Sequence, residues 1–154
     1  MEKSMKFLLE TPDPVTVLGQ QVSLMWIVIG AALVIFMQAG FALVETGMTQ
    51  AKNAAHVVST NFAIFGLGFI GFYLVGFAFS FGGFSYSAFG MDAPVGSALI
   101  GSGDWIFLWK GGWALSGSAI TPAVVGFFLY MVAFMDTVAT IPTGSMAERW
   151  KWNS

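Results

Sequence analysis

An isolated carboxylate, Asp136, lies inside a strongly apolar run, FFLYMVAFMDTVATIPTGSMAERWKW, at residues 127–152. An ionised carboxylate facing hydrocarbon costs at least ~2.5 kcal/mol on insertion scales, so protein rather than lipid must surround it. Thr137 follows directly and Thr140 lies one helical turn further on. A carboxylate beside hydroxyls most often fixes helices together through hydrogen bonds; the sharper alternative is direct contact with a transported cation. The same run carries Phe127, Tyr130 and Phe134, spaced three and four apart and therefore on one helical face. Aromatic faces attract cations by ~0.5–2 kcal/mol as water is shed. Asp136 falls about 200° around the helix from Phe134, so carboxylate and aromatics look nearly opposite ways. Glu45, at the end of another apolar run, is read with Asp136 as a structural polar group within the membrane. Pro142 removes a backbone donor and frees the Val138 carbonyl, which predicts a kink or helix end near 141–144.

The elements that carry these groups are membrane spans. The chain has 154 residues, 56% hydrophobic and 9% charged, far below the roughly 25% charged residues of a soluble domain. A spanning helix needs about 20 mostly apolar residues, and three stretches qualify: 22–44, 57–81 and 120–141. This predicts an all-α membrane protein of three transmembrane helices. A polar segment, 1–21, precedes them and is read as an extended lead-in at Pro12 and Pro14, not as a signal peptide. The short connection 46–56 makes the first two helices antiparallel neighbours. The long loop 82–119 contains Trp105, Trp109 and Trp113 at i, i+4 and i+8, which predicts a loop helix lying at the membrane–water interface.

Within the second span, Asn61, Ile64, Gly68, Gly71, Val75 and Ala78 form a small-residue face expected to pack on other helices. A stripe of Phe62, Phe65, Phe69, Phe72 and Phe79 is expected to fill gaps or meet lipid. Basic residues near the helix ends, Lys52, Arg149 and Lys151 against Lys110, favour an outside N-terminus and a cytoplasmic C-terminus in a cell membrane. The absence of Cys excludes disulfides, thiol catalysis and thiolate metal sites. A net charge of −2 with six basic residues argues against nucleic acid as a partner. No catalytic set, metal site or cofactor is expected, and the chain does not read as an enzyme. His56, the only histidine, is read as an interfacial or capping residue.

Two segments resemble ammonium transporters of the Amt/Rh family. FMQAGFALVETGMTQAKNAAH at 36–56 is similar to the end of the first conserved helix and its following loop. FMDTVATIPTGSMAERWKW at 134–152 is similar to the third helix, with the hallmark AER at 147–149. The resemblance implies a partial ammonium-transporter fold over 22–154, ammonium or ammonia as substrate, and a homo-oligomer, the family's trimer. It places Phe134 at the outer phenylalanine gate and Tyr130 one turn outward, at the border of the external vestibule. Met131 stands where many relatives have Gln. The family's paired pore histidines, second gate phenylalanine, recruitment tryptophan and serine, and essential aspartate belong to later helices, and His56 cannot replace the histidine pair. The resemblance therefore implies the N-terminal part of a transporter, not conducting by itself. The alternative is a transport-inactive structural or sensor-like subunit that kept these helices.

Overall fold

The computed structural model describes residues 13–102, 105–117 and 120–151; most of the predicted polar lead-in lies outside them. Among the described residues, three helical stretches are long and apolar enough to cross a membrane: Pro14–Met48, Ala51–Phe81 and Pro122–Met146. The first, α1 (Pro14–Met48), begins well before the predicted 22 and corrects the extended reading of residues 14–21. Pro14 occupies the first helical turn, where its missing N–H has no partner to lose and its fixed φ suits the helix. Gln20 within this extension donates from Nε2 to the Ser87 carbonyl at 3.0 Å, so the early turns are tied to the long loop. At the other end the helix runs past the predicted 44 because Glu45 points into protein.

The second span starts with α2 (Ala54–Gly71), passes through a π-helical turn at Phe72–Gly76 and ends in α3 (Phe77–Phe81). The wider turn changes which residues face inward, because one extra residue is accommodated before the helix resumes. Val57, Asn61, Phe72, Phe77 and Ala78 are buried, whereas Gly71 and Val75 are exposed. The predicted small-residue face is therefore broken at Gly71 and Val75, while Ala78 at its far end is again buried. Between Gly68 and Ala78 the inward positions are taken by Phe72 and Phe77. Of the predicted Phe stripe, Phe62, Phe65, Phe69 and Phe79 remain exposed to differing degrees.

The third span, α4 (Pro122–Met146), opens on a Thr-Pro start: Thr121 Oγ1 accepts from the Val124 N–H at 3.3 Å, with Pro122 in the first turn. It continues through Pro142 to Met146, so the helix end falls later than the predicted 141–144. Thr143 and Ser145 hydroxyls donate to the carbonyls of Thr140 and Pro142, supplying local hydrogen bonds around the proline.

The long loop corrects the sequence reading most clearly. Trp105–Trp109 is a strand, β2, paired antiparallel with β1 (Ala98–Ser102). Trp109 lies over Gly82 and Gly83 at the end of the second span. Trp113 begins a short 3₁₀ turn, donates to the Trp109 carbonyl at 2.9 Å and meets Phe79 edge-on at 5.1 Å. The loop folds over the bundle here, and the apolar core lies beneath it: Phe72, Phe77, Met91, Val95, Val124, Phe127, Phe128 and Val132.

Candidate functional site

The three predicted aromatics of α4 divide according to what covers them. Phe127 is buried, stacked on Phe84 at 4.7 Å and edge-on to Phe81 at 5.1 Å. Its neighbour Phe128 packs on Phe72 and Phe77. Tyr130 and Phe134 stand apart from that core. Their rings form a pair at 4.9 Å, inclined by 59°, and Phe134 is 40% exposed. Tyr130 lies against α1 at Gly30, where an added Cβ would come within 3.1 Å of the ring, so the glycine permits the approach. The result is a two-ring aromatic step on an open face of the bundle, available to a ligand or to further protein.

Asp136 is 3% exposed, in the interior of the three helices. The neighbouring hydroxyls do not serve its carboxylate, contrary to the sequence expectation. Thr137 donates to the Ala133 carbonyl, and Thr140 to the main-chain carbonyls of Asp136 and Thr137. Helical threonines commonly close this short local bond, which takes both hydroxyls away from the acid. The Asp136 Oδ1 atom is buried without a hydrogen-bond partner.

The inter-helix hydrogen bonds come from Gln38, Asn61 and Glu45, of which the sequence reading names Glu45 as a structural polar group. Asn61 donates from Nδ2 to Glu45 Oε2 at 2.7 Å and to the Val57 carbonyl at 3.1 Å. Gln38 Nε2 donates to Asn61 Oδ1 at 3.2 Å. Glu45, 9% exposed, also abuts α4: a Cβ on Gly144 would come within 2.9 Å of Glu45 Oε1. Glu45 therefore touches both other spans. The polar residues of the first two spans were visible as singletons in apolar runs, which is the signal that could have paired them.

Just past α4, Glu148 of the AER triplet ties the end of the third span to the first loop. Its Oε1 accepts from the Gln50 N–H at 2.7 Å and from Asn53 Nδ2 at 3.0 Å. The Gln50 N–H, then the Asn53 amide and the nearby Lys52 charge, hold this carboxyl below its ordinary value of 4.5. Glu148 takes a left-handed φ of 68°, an unusual conformation for a side-chain-bearing residue. Beneath it a cavity of ≈ 590 Å³ opens between α2 and α4, with Glu45, His56, Thr60, Thr143 and Lys151 among its walls. His56 sits in the first turn of α2, where its main-chain carbonyl accepts from the Ser59 and Thr60 hydroxyls. Among the described residues, no group of three or more His, Cys, Asp or Glu side chains is placed to hold a metal ion.

The sequence profile of the Ammonium Transporter Family matches residues 25–154. The chain belongs to the ammonium transporter family. It is 35% identical over 133 residues to ammonium transporter Amt2 of Archaeoglobus fulgidus, covering 86% of this chain and 24% of the relative. It is 33% identical to the putative ammonium transporter sll0537 of Synechocystis, covering 84% and 20%. With ammonium transporter Amt1 of Haloferax mediterranei the identity is 35%, covering 89% and 23%. The chain thus spans about a quarter of the length of the curated relatives it matches. No solved structure matches it. As a family member it is a membrane protein with a partial ammonium-transporter fold, in which the matched region takes in all of α2, α3, α4 and most of α1.

Proposed function

We propose that this chain forms one wall of an ammonium pathway, with Phe134 as the outer aromatic gate and Tyr130 at the vestibule border. The observation that carries the reading is the Tyr130–Phe134 ring pair at 4.9 Å, left open while Phe127 and Phe128 are consumed by the core. Ammonium shedding water at the outer face would gain the cation–π attraction of these rings. The same rings would exclude water and hydrated ions from the path beyond. Glu45 and Asp136 serve the helix interior rather than the path, and no enzymatic step is involved.

The remainder of the pathway comes from further transporter helices or from other subunits, in a trimer as in the family. The α1 helix exposes Trp26, Leu33 and Phe36, each more than 60% accessible, and so offers much apolar surface to such partners and to lipid. Lys52, Arg149 and Lys151 gather at the end joined by Glu148. Positive-inside bias then puts that end in the cytoplasm and the N-terminus outside a cell membrane.

Reconstituted alone into liposomes, the 154-residue chain is expected to show no ammonium uptake above empty vesicles. Saturable uptake by the chain alone would overturn the one-wall reading. In native membranes, Phe134→Ala should change ammonium flux or leak severalfold, while the lipid-exposed Phe62→Ala leaves both unchanged. Equal effects would make Phe134 an ordinary packing residue.

A further inference from the structure

The cavity between α2 and α4 belongs to a face of the bundle that the aromatic step does not use. Ala139 and Thr143 in its wall lie about 140° and 180° around α4 from Phe134. Its α2 wall runs from His56 to Gly68, a stretch of about 18 Å at ~1.5 Å rise per residue. That is close to the depth of one leaflet, half of a ~30 Å hydrocarbon core. The walls change character along this length. The deeper part is apolar, with Ala63, Ile64, Leu67 and Gly68 on one side and Ala139 on the other. The threonines add methyl groups rather than free donors, because the Thr60 and Thr143 hydroxyls are bonded to the carbonyls of His56 and Thr140. Glu45 closes the middle, and Asn61 holds its Oε2 from within the bundle.

Cationic charge enters only at the surface end, where Lys151 lines the cavity beside Trp150 and His56. Lys52, one turn before His56, and Arg149 are exposed at the same end. The carboxylate found there, Glu148, is engaged by the Gln50 N–H and the Asn53 amide. Tryptophan favours the headgroup level of a bilayer, and basic pockets between spans take anionic headgroups. Width then separates a lipid from a further helix. A volume of ≈ 590 Å³ along about 18 Å gives a mean cross-section of about 33 Å². A helix about 10 Å across needs about 80 Å². An extended hydrocarbon chain, standing about 4.0–4.5 Å from its neighbours, needs about 20 Å². The slot seats one acyl chain and is too narrow for a helix.

We infer that this slot binds one phospholipid with an anionic headgroup. One acyl chain lies between α2 and α4, and the phosphate meets Lys151 and the His56 ring at the membrane surface. The lipid packs the gap between the second and third spans as an apolar side chain would. It stands independently of any ammonium passage along the Tyr130–Phe134 face.

The test is native mass spectrometry of the whole chain in detergent, titrated separately with phosphatidylglycerol and phosphatidylcholine of the same acyl chains. The first phosphatidylglycerol should bind about fivefold or more tightly than the first phosphatidylcholine. Lys151→Gln should weaken phosphatidylglycerol about fivefold, the worth of one basic side chain near the surface, and leave phosphatidylcholine within about twofold. Ala63→Leu, which fills the slot about half-way down, should weaken both lipids about tenfold. Phe62→Ala, on the exposed side of the same helix, should change neither. Equal affinity for the two lipids, or binding that Ala63→Leu leaves unchanged, overturns the inference. Should Ala63→Leu fail to fold, Ala139→Leu on the facing wall decides in the same way. In native membranes, a photoreactive benzoylphenylalanine in place of Leu67, exposed at the lip of the slot, should cross-link to lipid. A polypeptide adduct there would mean that a helix covers the slot, and would overturn the inference as well.

Discussion

The two ends of the bundle are held by different physics. Beneath the long loop, Phe72, Phe77, Phe127 and Phe128 interlock with Met91 and Val95, and no polar side chain belongs to that cluster. Toward the first loop, the ties are polar: Gln38 to Asn61, Asn61 to Glu45, Glu45 against Gly144, and Glu148 to Gln50 and Asn53. Apolar helices gain little from one another in lipid beyond close packing, because the acyl chains are equally apolar. The aromatic end answers this with ring geometry and a loop lid. The polar end answers it with hydrogen bonds that lipid cannot supply. The aromatic end should therefore hold the larger share of stability, and the polar end should fix which residues face one another.

The sharpest way to break that comparison is Phe77→Ala. Phe77 is fully buried and meets Phe72, Phe81, Phe127 and Phe128. Truncation should cost about 3–5 kcal/mol, read as a lowered unfolding midpoint in nanodiscs. Phe62→Ala, on the lipid-facing side, should stay within about 0.5 kcal/mol of the parent. Next comes Asn61→Ala, which strands Glu45 Oε2 and Gln38 Nε2 at once. A loss of about 1–2 kcal/mol is expected, given the modest worth of hydrogen bonds between membrane helices. If Asn61→Ala cost as much as Phe77→Ala, the polar end would be carrying the fold and the comparison would reverse.

The sequence exposed the spans because their length and apolarity are local properties. It hid whatever depended on a partner far along the chain. The tryptophans show how a pattern misleads: Trp105, Trp109 and Trp113 recur every four residues, a step close to one helical turn and also a multiple of the strand period of two. The β-favouring WIFLW segment and the glycines at 111 and 112 decide for a strand that then breaks. The π-helical turn left no trace in composition; it is visible only in the packing, where Phe72 at its start and Phe77 just after it both meet Phe128 of α4. On α4, spacing alone separated the Asp136 side from the Phe134 side. It could not tell that Thr137 and Thr140 would bond their own backbone, leaving the carboxylate without them. The α1 start was missed because Pro14 reads as part of an extended lead-in, whereas it sits in the first helical turn and Gln20 beyond it has the Ser87 carbonyl to meet.

Glu148 gives the smallest and most condition-dependent test of the polar end. Its carboxylate is exposed, so water and salt screen it, yet it bridges segments almost a hundred residues apart in sequence. Because the folded chain holds Glu148 below 4.5, the unfolded chain binds the proton more readily. The stabilisation is therefore fully present above pH 4.5 and is lost as pH falls through the lowered folded value. Glu148→Gln keeps an oxygen acceptor but removes the charge, so it should abolish that pH-dependent component while retaining most of the geometry. Comparing unfolding midpoints of parent and variant from neutral pH down through the lowered folded value reads the difference directly. The two curves should converge at the acid end and separate above it. Curves that stay parallel would mean that the Gln50 and Asn53 contacts serve only the shape of the left-handed turn, and that charge plays no part in joining the first loop to the third span.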